Sequence, residues 1–402
     1  MKKLFLTLMV ALLCSAAQAI TMPKHIYVAS QDGNIVKVYN VQAKETMFVN
    51  GFLRDIGVDK GGNVYVLVCS TENGWGNYYV YKNCSPQIYL SLIEDQGGIY
   101  SSAAMKVKGN DVVVAAVQSL GFNSKGYQSR MAGYVNGQRV FLTGYDRRGL
   151  KYDNFMGYKK IVGKNIVGYG QENNSGNPQG DHLSCVCHVD DVDYCNGAVY
   201  TTGWGEREYS ENIGTTKYYF VRRCPRVWKN GVEVVKQYEN KTGAAWNISV
   251  FNRNGKEYIF TSGHKGSVAC AWEHNADLFT ADYYYYPGVI KEATFPETGD
   301  TDAPNFGRAF LGLGNTNLKV IEVYSMSDNR LLHKRMFGMN GDISDIVAGK
   351  DGFYAIVTDS YKTVEIHCWR KYSGTTFGEE QAFVCRLPGN LGLKNPMLAV
   401  AE

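Results

Sequence analysis

One strand-like motif recurs eight times along this chain, and this recurrence constrains the fold more than any other feature. Each copy is a short apolar run that ends in small residues, and successive copies begin 34 to 59 residues apart. The copies are IYVAS from Ile26, VYVLV from Val64, VVVAA from Val112, NIVGYG from Asn165, VYTTG from Val199, YIFTSG from Tyr258, AFLGLG from Ala309 and FYAIVT from Phe353. Repeats of this length are typical of solenoids and propellers, in which each repeat is one supersecondary unit.

Each motif lies between an earlier apolar strand and a later hairpin. The earlier strand leads into a turn rich in glycine or asparagine, as in residues 55–65 and 345–354. Asn-Gly at 136–137 and at 230–231 separates two apolar runs, which is the strongest short-range signal for a hairpin. With 44 glycines, 29 tyrosines and no amphipathic window of helix length, the pattern predicts many short strands joined by turns.

We therefore predict an all-β fold, a β-propeller of seven or eight mostly four-stranded blades in residues 20–402. The chain enters the first motif at Lys24 without a preceding strand, and residues 395–400 form a spare apolar strand. This C-terminal strand is predicted to join the N-terminal blade and close the ring, which would remove two exposed sheet edges. The interval from Asn165 to Val199 is too short for a full blade, so the pattern fits seven blades with an insertion or eight with one reduced blade.

The first nineteen residues have the organisation of a secretory signal peptide. Lys2 and Lys3 form a basic start, residues 4–14 are apolar, and Ala17-Gln18-Ala19 is a cleavage site of small residues. We expect cleavage after Ala19 and an exported product in the periplasm, on the cell surface or in the medium. No later run is long and apolar enough to predict a transmembrane helix.

Charge and motif content exclude several classes of function. The formal net charge is +4 from 42 basic and 38 acidic residues, so the chain lacks the basic surface that nucleic acid requires. No Gly-x-Ser-x-Gly elbow and no phosphate-binding glycine loop is present. We predict no cofactor and no nucleic-acid partner, and the sequence leaves the oligomeric state open.

Nine cysteines follow the predicted signal peptide, and two of them lie in a cluster with histidine. The cluster contains His182, Cys185, Cys187 and His188. In an extended strand the cysteines and the histidines point to opposite faces, so one metal ion could reach only half of the set. These four residues are weak metal-ligand candidates, and a disulfide from Cys185 or Cys187 is the alternative in an exported protein. We expect a few disulfides together with some buried thiols.

Aspartate recurs at the start of the strand that precedes the motif. It occurs as Asp55, Asp191 and Asp345, with Asn247 in the equivalent place. On the innermost strands of a propeller these side chains could bind a ligand at the channel mouth. In the alternative interpretation they make a repeated structural hydrogen bond, which the repetition itself favours.

Aromatic residues in predicted loops are the other candidate ligand contacts. Trp75 lies in ENGWGNYY, Trp204 in GWGEREY, and Tyr283 and Tyr285 in DYYYYPG. Flat aromatic faces beside Asn, Asp and Glu suit carbohydrate or peptide surfaces. Packing between blades is the alternative role for the tyrosines.

Residues 26–39 (IYVAS to NIVKVY) and the Trp-Lys-Asn-Gly hairpin at 228–231 resemble the exported bacterial β-propellers with YVTN- or NHL-like repeats. The resemblance implies the fold and, by analogy, a secreted binding or scaffold protein that recognises a glycan, peptide or envelope partner through one loop face. The sialidase, WD and kelch signatures are absent. The alternative function is a glycoside hydrolase or lyase with Asp191, Asp193 or Glu206 among its acids.

Overall fold

The computed structural model of the protein describes most of residues 23–401. The segments left out are 93–98, 124–125, 145, 148–157, 163–164, 170–184, 214–215, 236–242, 254–255, 266–267, 274–275, 281–289, 295–307, 314–319, 326–330, 337–341, 350–351, 359–360, 362 and 372–376. The predicted signal peptide and the polar stretch ENNSGNPQGD therefore lie outside the described residues. Within the described part, the only helix is one turn of 3-10 helix at Gly389–Leu391, and no helix is long and apolar enough to cross a membrane.

The rest of the described chain is built of β-strands. The strands are β1 (His25–Asp32), β2 (Ile35–Asn40), β3 (Glu45–Asn50), β4 (Phe52–Val58), β5 (Val64–Cys69), β6 (Tyr78–Lys82), β7 (Ile88–Leu92), β8 (Ile99–Lys108), β9 (Asp111–Asn123), β10 (Gly126–Val135), β11 (Gln138–Leu142), β12 (Asp146–Arg147), β13 (Tyr158–Val162), β14 (Asn165–Tyr169), β15 (Cys185–Cys195), β16 (Ala198–Ile213), β17 (Thr216–Lys229), β18 (Val232–Val235), β19 (Gly243–Arg253), β20 (Lys256–Lys265), β21 (Val268–Glu273), β22 (Ala276–Thr280), β23 (Ile290–Thr294), β24 (Arg308–Leu313), β25 (Val320–Ser325), β26 (Leu331–Met336), β27 (Asp342–Gly349), β28 (Gly352–Thr358), β29 (Val364–Lys371), β30 (Phe377–Arg386) and β31 (Met397–Ala401).

Antiparallel pairing groups these described strands into seven sheets. The sheets are β31-β1-β2-β3, β4 to β7, β8 to β11 with β12 added to β10, β15 to β18 with the hairpin β13–β14 added to β17, β19 to β22, β23 to β26, and β27 to β30. The innermost strand of each sheet contacts the innermost strand of the next, in the order β4, β8, β15, β19, β23, β27, β31 and again β4. Meandering sheets in chain order around a set of innermost strands are the architecture of a β-propeller, so the prediction of an all-β propeller is confirmed.

Seven of the eight sequence motifs form the second strand of a sheet, and one does not. The exception begins at Asn165 and forms β14, which pairs only with β13. The hairpin β13–β14 adds to the edge of β17 at Lys217–Phe220, beyond the part of that strand that pairs with β18. The motif at Asn165 is therefore an insertion in the fourth sheet.

Asparagine fixes the outer turns of several sheets. Asn83, Asn136 and Asn230 have φ values of 53°, 51° and 49°, and the last two are followed by glycines at 79°, as type I′ turns require. Each side-chain oxygen also accepts an N–H from the first or second residue of the second strand of its own sheet, at 2.9 to 3.0 Å: Asn83 from Val64, Asn136 from Val112 and Asn230 from Val199. The asparagine therefore reverses the chain and also provides a hydrogen-bond acceptor for a backbone N–H near the start of a strand.

The core lies between neighbouring sheets. In β5, Val66 packs into the cluster shared with the first sheet, whereas Leu67 packs into the cluster shared with the third. Both side chains are fully buried. A sheet covered on both faces needs apolar residues at successive positions, which explains the unbroken run VYVLVC.

A β-bulge interrupts the innermost strand of several sheets just before the position of the repeated aspartate. The bulged residues are Arg54 in β4, Ser101 in β8, Asp190 in β15, Trp246 in β19 and Ser344 in β27. Gly203 faces one such bulge, and a Cβ there would lie 2.0 Å from the carbonyl oxygen of His188. Bulges re-aim side chains, so they set the directions of the side chains at these five positions.

Candidate functional site

Trp75 is held on a loop whose backbone is fixed by hydrogen bonds. The loop connects β5 to β6, and the Trp75 side chain is 42% exposed. The Trp75 amide donates to Oδ1 of Asn73 at 2.9 Å, and the hydroxyls of Thr71 and Tyr78 donate to the carbonyl oxygens of Trp75 and Gly74. An adjacent pair of backbone hydrogen bonds between Gly76 and Tyr100 fastens the loop to the next sheet. The indole is therefore presented to solvent from a fixed base.

Arg54, the bulged residue of β4, lies beneath this loop. Its Nη2 donates to the carbonyl oxygens of Thr71 at 3.2 Å and Glu72 at 2.8 Å. A Cβ built on Gly74 would lie 3.4 Å from the same nitrogen, so the guanidinium contacts the residue that precedes Trp75. Nε is buried and has no hydrogen-bond partner. The sequence prediction missed Arg54, although it directly precedes Asp55 at the position that varies from repeat to repeat.

Trp204 lies at the same end of its sheet as the Trp75 loop. Trp204 lies opposite His188 in the sheet, and His188 is three residues before Asp191. In the second sheet, Cys69 at the base of the Trp75 loop lies opposite Phe52, which is three residues before Asp55. The Trp204 and His188 rings are stacked, with centroids 5.8 Å apart and planes 5° from parallel.

His188 also lies next to the bulged residue of the same strand. Its Nδ1 lies 3.1 Å from Oδ1 of Asp190. The other carboxylate oxygen of Asp190 is buried without a hydrogen-bond partner. His188 therefore lies in an aromatic and acidic setting among the described side chains, and Trp246 occupies the bulge of the next sheet.

The repeated aspartates bridge neighbouring sheets. Oδ1 of Asp55 accepts the N–H of Ile56 at 2.8 Å, and Oδ2 accepts the N–H of Met105 on β8 at 3.1 Å. Asp191 and Asp345 repeat this arrangement: Asp191 with Val192 and with Ile248 on β19, Asp345 with Ile346 and with Leu398 on β31. Each carboxylate therefore ties one innermost strand to the next at three places in the fold.

Burial, together with repulsion from other aspartates, raises the pKa values of two of these carboxyl groups. The pKa of Asp55 rises to about 8, mainly because of burial, with further contributions from the charges of Asp191 and Asp345. The pKa of Asp191 rises to about 6, again mainly through burial, although the nearby Lys106 ammonium opposes the shift. Asp55 is therefore predominantly protonated at neutral pH, whereas Asp191 is predominantly ionised.

A second aspartate of β15 and two lysines of β8 lie further along these innermost strands. Asp193 accepts the N–H of Val250 at 2.6 Å and pairs with Nζ of Lys108 at 3.2 Å. Nζ of Lys106 donates to the carbonyl oxygen of Ile248 at 3.4 Å. Nζ of Lys108 also donates to the carbonyl oxygen of Val250 at 2.8 Å, so both lysines of β8 reach β19, the innermost strand of the sheet after next.

Several candidate residues lie wholly or partly outside the described part of the chain. His182, Tyr283 and Tyr285 are outside it, and Glu206, Cys185 and Cys187 are described only as strand positions, with Glu206 opposite Cys185. Among the described side chains, no group of three or more His, Cys, Asp or Glu residues is arranged to hold a metal ion. In the part of the chain that the structure describes, Cys69, Cys84, Cys195 and Cys385 are free thiols.

Comparison with known proteins adds little to this description. No protein-family model matches the chain, and no curated protein is significantly similar to it. The dihydro-heme d1 dehydrogenase NirN in complex with DHE is 11% identical over 95% of this chain and 77% of that one, with a TM-score of 0.47. The β-propeller domain of the trilobed protease from Pyrococcus furiosus is 9% identical over 90% and 95%, with a TM-score of 0.44. At these values neither comparison bears on function, and the propeller architecture rests on the order of the sheets and of their innermost strands.

Proposed function

We propose that the protein is a non-catalytic binding protein that recognises a carbohydrate at the end of the propeller carrying Trp75 and Trp204. The observation that carries the proposal is the exposed Trp75 indole on a loop fixed by hydrogen bonds. Exposing a large apolar ring from a rigid base costs free energy in the absence of a ligand, whereas it lowers the entropic cost of binding one. Indole faces suit the apolar faces of sugar rings, and the nearby Asn and Arg groups supply hydrogen bonds.

The finer architecture and the location belong to the same proposal. We infer that the seven sheets are the blades of one closed ring and that β31 completes the first blade by pairing with β1. This is supported by the register from His25 opposite Ala401 to Ala29 opposite Met397. Residues 1–19 act as an export signal, so the protein works in the periplasm, at the cell surface or outside the cell.

A glycan-array screen with residues 20–402 tests the binding function. Trp75→Ala is expected to weaken any selective binding at least tenfold, because stacking and burial of one indole contribute about 1.5–3 kcal/mol. Phe48→Ala is the matched control, since Phe48 is 59% exposed but lies on the outer strand β3. Absence of selective binding across the array, or equal losses in the two variants, would overturn the proposal.

A second candidate function is acid–base catalysis on a glycan by the central carboxyl groups. One observation favours it: the pKa values of Asp55 and Asp191 are raised to different values, about 8 and about 6, as in a paired acid and base. Against it, both oxygens of each carboxyl group already accept backbone N–H groups. Reducing-end release from glycans that bind, abolished by Asp55→Asn and by Asp191→Asn, would establish this function in place of simple binding.

A further inference from the structure

Arg54 carries a positive charge that no described acidic side chain neutralises. Its hydrogen bonds run only to the backbone carbonyl oxygens of Thr71 and Glu72, and both use Nη2. Nε is buried without a partner, and no described carboxylate forms an ion pair with the guanidinium. A half-buried guanidinium with unused N–H groups has a strong preference for an anion, because its desolvation is then compensated.

The position of Arg54 is fixed rather than adaptable. The bulge in β4 turns the side chain towards the β5–β6 loop, and two carbonyl oxygens orient the guanidinium plane. The loop closes over it through the hydrogen bonds of Trp75 and Gly74. The loop carbonyl oxygens use both N–H groups of Nη2, so the N–H groups of Nη1 remain, in a fixed direction, to donate to a carboxylate oxygen.

The neighbourhood combines this cation with the exposed indole. The guanidinium contacts Gly74, whose next residue is Trp75. At Gly74 φ is +80°, a backbone conformation that residues with a side chain rarely adopt. Glycine at this position therefore allows the loop to approach the guanidinium closely. A ligand stacked on the Trp75 ring would therefore bring its substituents within reach of Arg54.

We propose that Arg54 binds the carboxylate of an acidic sugar whose ring stacks on Trp75. This inference rests on the proposed carbohydrate-binding function and names the class of ligand, a uronic-acid-type glycan. A sugar fits better than an acidic peptide because the single exposed indole offers a flat apolar surface next to one isolated cation. The protein should therefore bind a uronate polymer more tightly than the same polymer with its carboxyl groups reduced to alcohols.

The test compares polygalacturonate, alginate and hyaluronan with their carboxyl-reduced forms by titration calorimetry on residues 20–402. At least one uronate polymer is expected to bind tenfold or more tightly than its reduced form, and raised salt is expected to narrow this difference. Poly-glutamate serves as the peptide arm. Binding of poly-glutamate as tight as that of the best uronate, or no preference for any uronate over its reduced form, would overturn the inference.

Two variants locate the preference. Arg54→Gln keeps a donor for the loop carbonyls and removes the charge, so the preference for the uronate over its reduced form is expected to disappear. Arg139→Gln, on the exposed face of β11, is the matched control for net charge. If Arg54→Gln fails to fold, Arg54→Lys and the polymer comparison in the unaltered protein still test whether Arg54 produces the preference for uronate. Loss of uronate preference in Arg139→Gln as well would contradict the assignment to Arg54.

The outcomes also separate this inference from the function on which it rests. Trp75-dependent binding of neutral glycans without a uronate preference would leave the binding function standing and remove the role of Arg54. Absence of all Trp75-dependent glycan binding would remove both.

Discussion

Asp55 should make the stability of this protein fall as pH rises. Burial raises its pKa from 3.8 to about 8, so the folded state binds a proton that the unfolded state has already lost between these pH values. The stabilising contribution of the protonated group is therefore complete below about pH 4 and is lost as pH approaches 8. At about 1.4 kcal/mol per pH unit, the loss between pH 5 and pH 8 is roughly 4 kcal/mol.

Asp55→Asn removes the ionisation and keeps one oxygen that accepts a backbone N–H. At pH 5 the variant is expected to be less stable than the parent by about 1–3 kcal/mol, because either Ile56 or Met105 loses its acceptor. As pH rises to 8 the parent loses its advantage, so the two stability curves converge and then cross.

Urea unfolding followed by tryptophan fluorescence, repeated at pH 5, 6, 7 and 8, measures the difference directly. Asp191→Asn is the matched control, because the pKa of Asp191 is raised only to about 6. Its effect on the pH profile is expected to be confined to the acidic half of the range. Parallel stability curves for Asp55→Asn and the parent between pH 6 and pH 8 would refute this reasoning.

Three further predictions concern other residues. Gly203→Ala should destabilise the fold by at least about 3 kcal/mol, because its Cβ would lie 2.0 Å from a backbone oxygen, whereas Gly144→Ala, with no atom within 4 Å, should be near neutral in thermal unfolding. Asn136→Ala should cost about 1–2 kcal/mol in urea titrations, since it loses the Val112 contact and places alanine at φ 51°; an unchanged midpoint would contradict this. Burial raises the pKa of the Cys84 thiol to about 12, so iodoacetamide at pH 8 should label this residue in the native protein far more slowly than in urea, as peptide mass analysis would reveal.

The sequence predicted the repeated parts of the fold because each repeat carries the same local signals. Val66 is buried on one face of β5 and Leu67 on the other, which requires an unbroken apolar run, and Asn-Gly specifies the outer turns. The apolar runs and the Asn-Gly pairs can both be recognised without the structure. The same signal misleads at Asn165, where an apolar run ending in small residues forms the added strand β14. A run of this kind specifies a strand but not the sheet to which it belongs.

The candidate site was less accessible to sequence reasoning because its contacts are long-range. The recurrence of Asp55, Asp191 and Asp345 is visible, whereas their second hydrogen-bond partners lie 50, 57 and 53 positions away. Arg54 stands out only once the bulge places it beneath the Trp75 loop. Aligning the repeats and asking which residue before the aspartate differs would have drawn attention to Arg54, Asp190 and Trp246.

The pairing of β31 with β1 has a consequence for how the chain is made. Ser30 and Lys394, which hydrogen-bond to each other, are 364 positions apart, so the first sheet stays one strand short until residues 397–401 have been synthesised. Bringing such distant segments together costs roughly 5 kcal/mol of chain entropy, which the contacts of the intervening sheets must already have offset. Folding is therefore expected to finish late and slowly, with the edge of β1 available to other chains in the meantime. A chain clipped before residue 397 would retain that open edge permanently and would tend to aggregate.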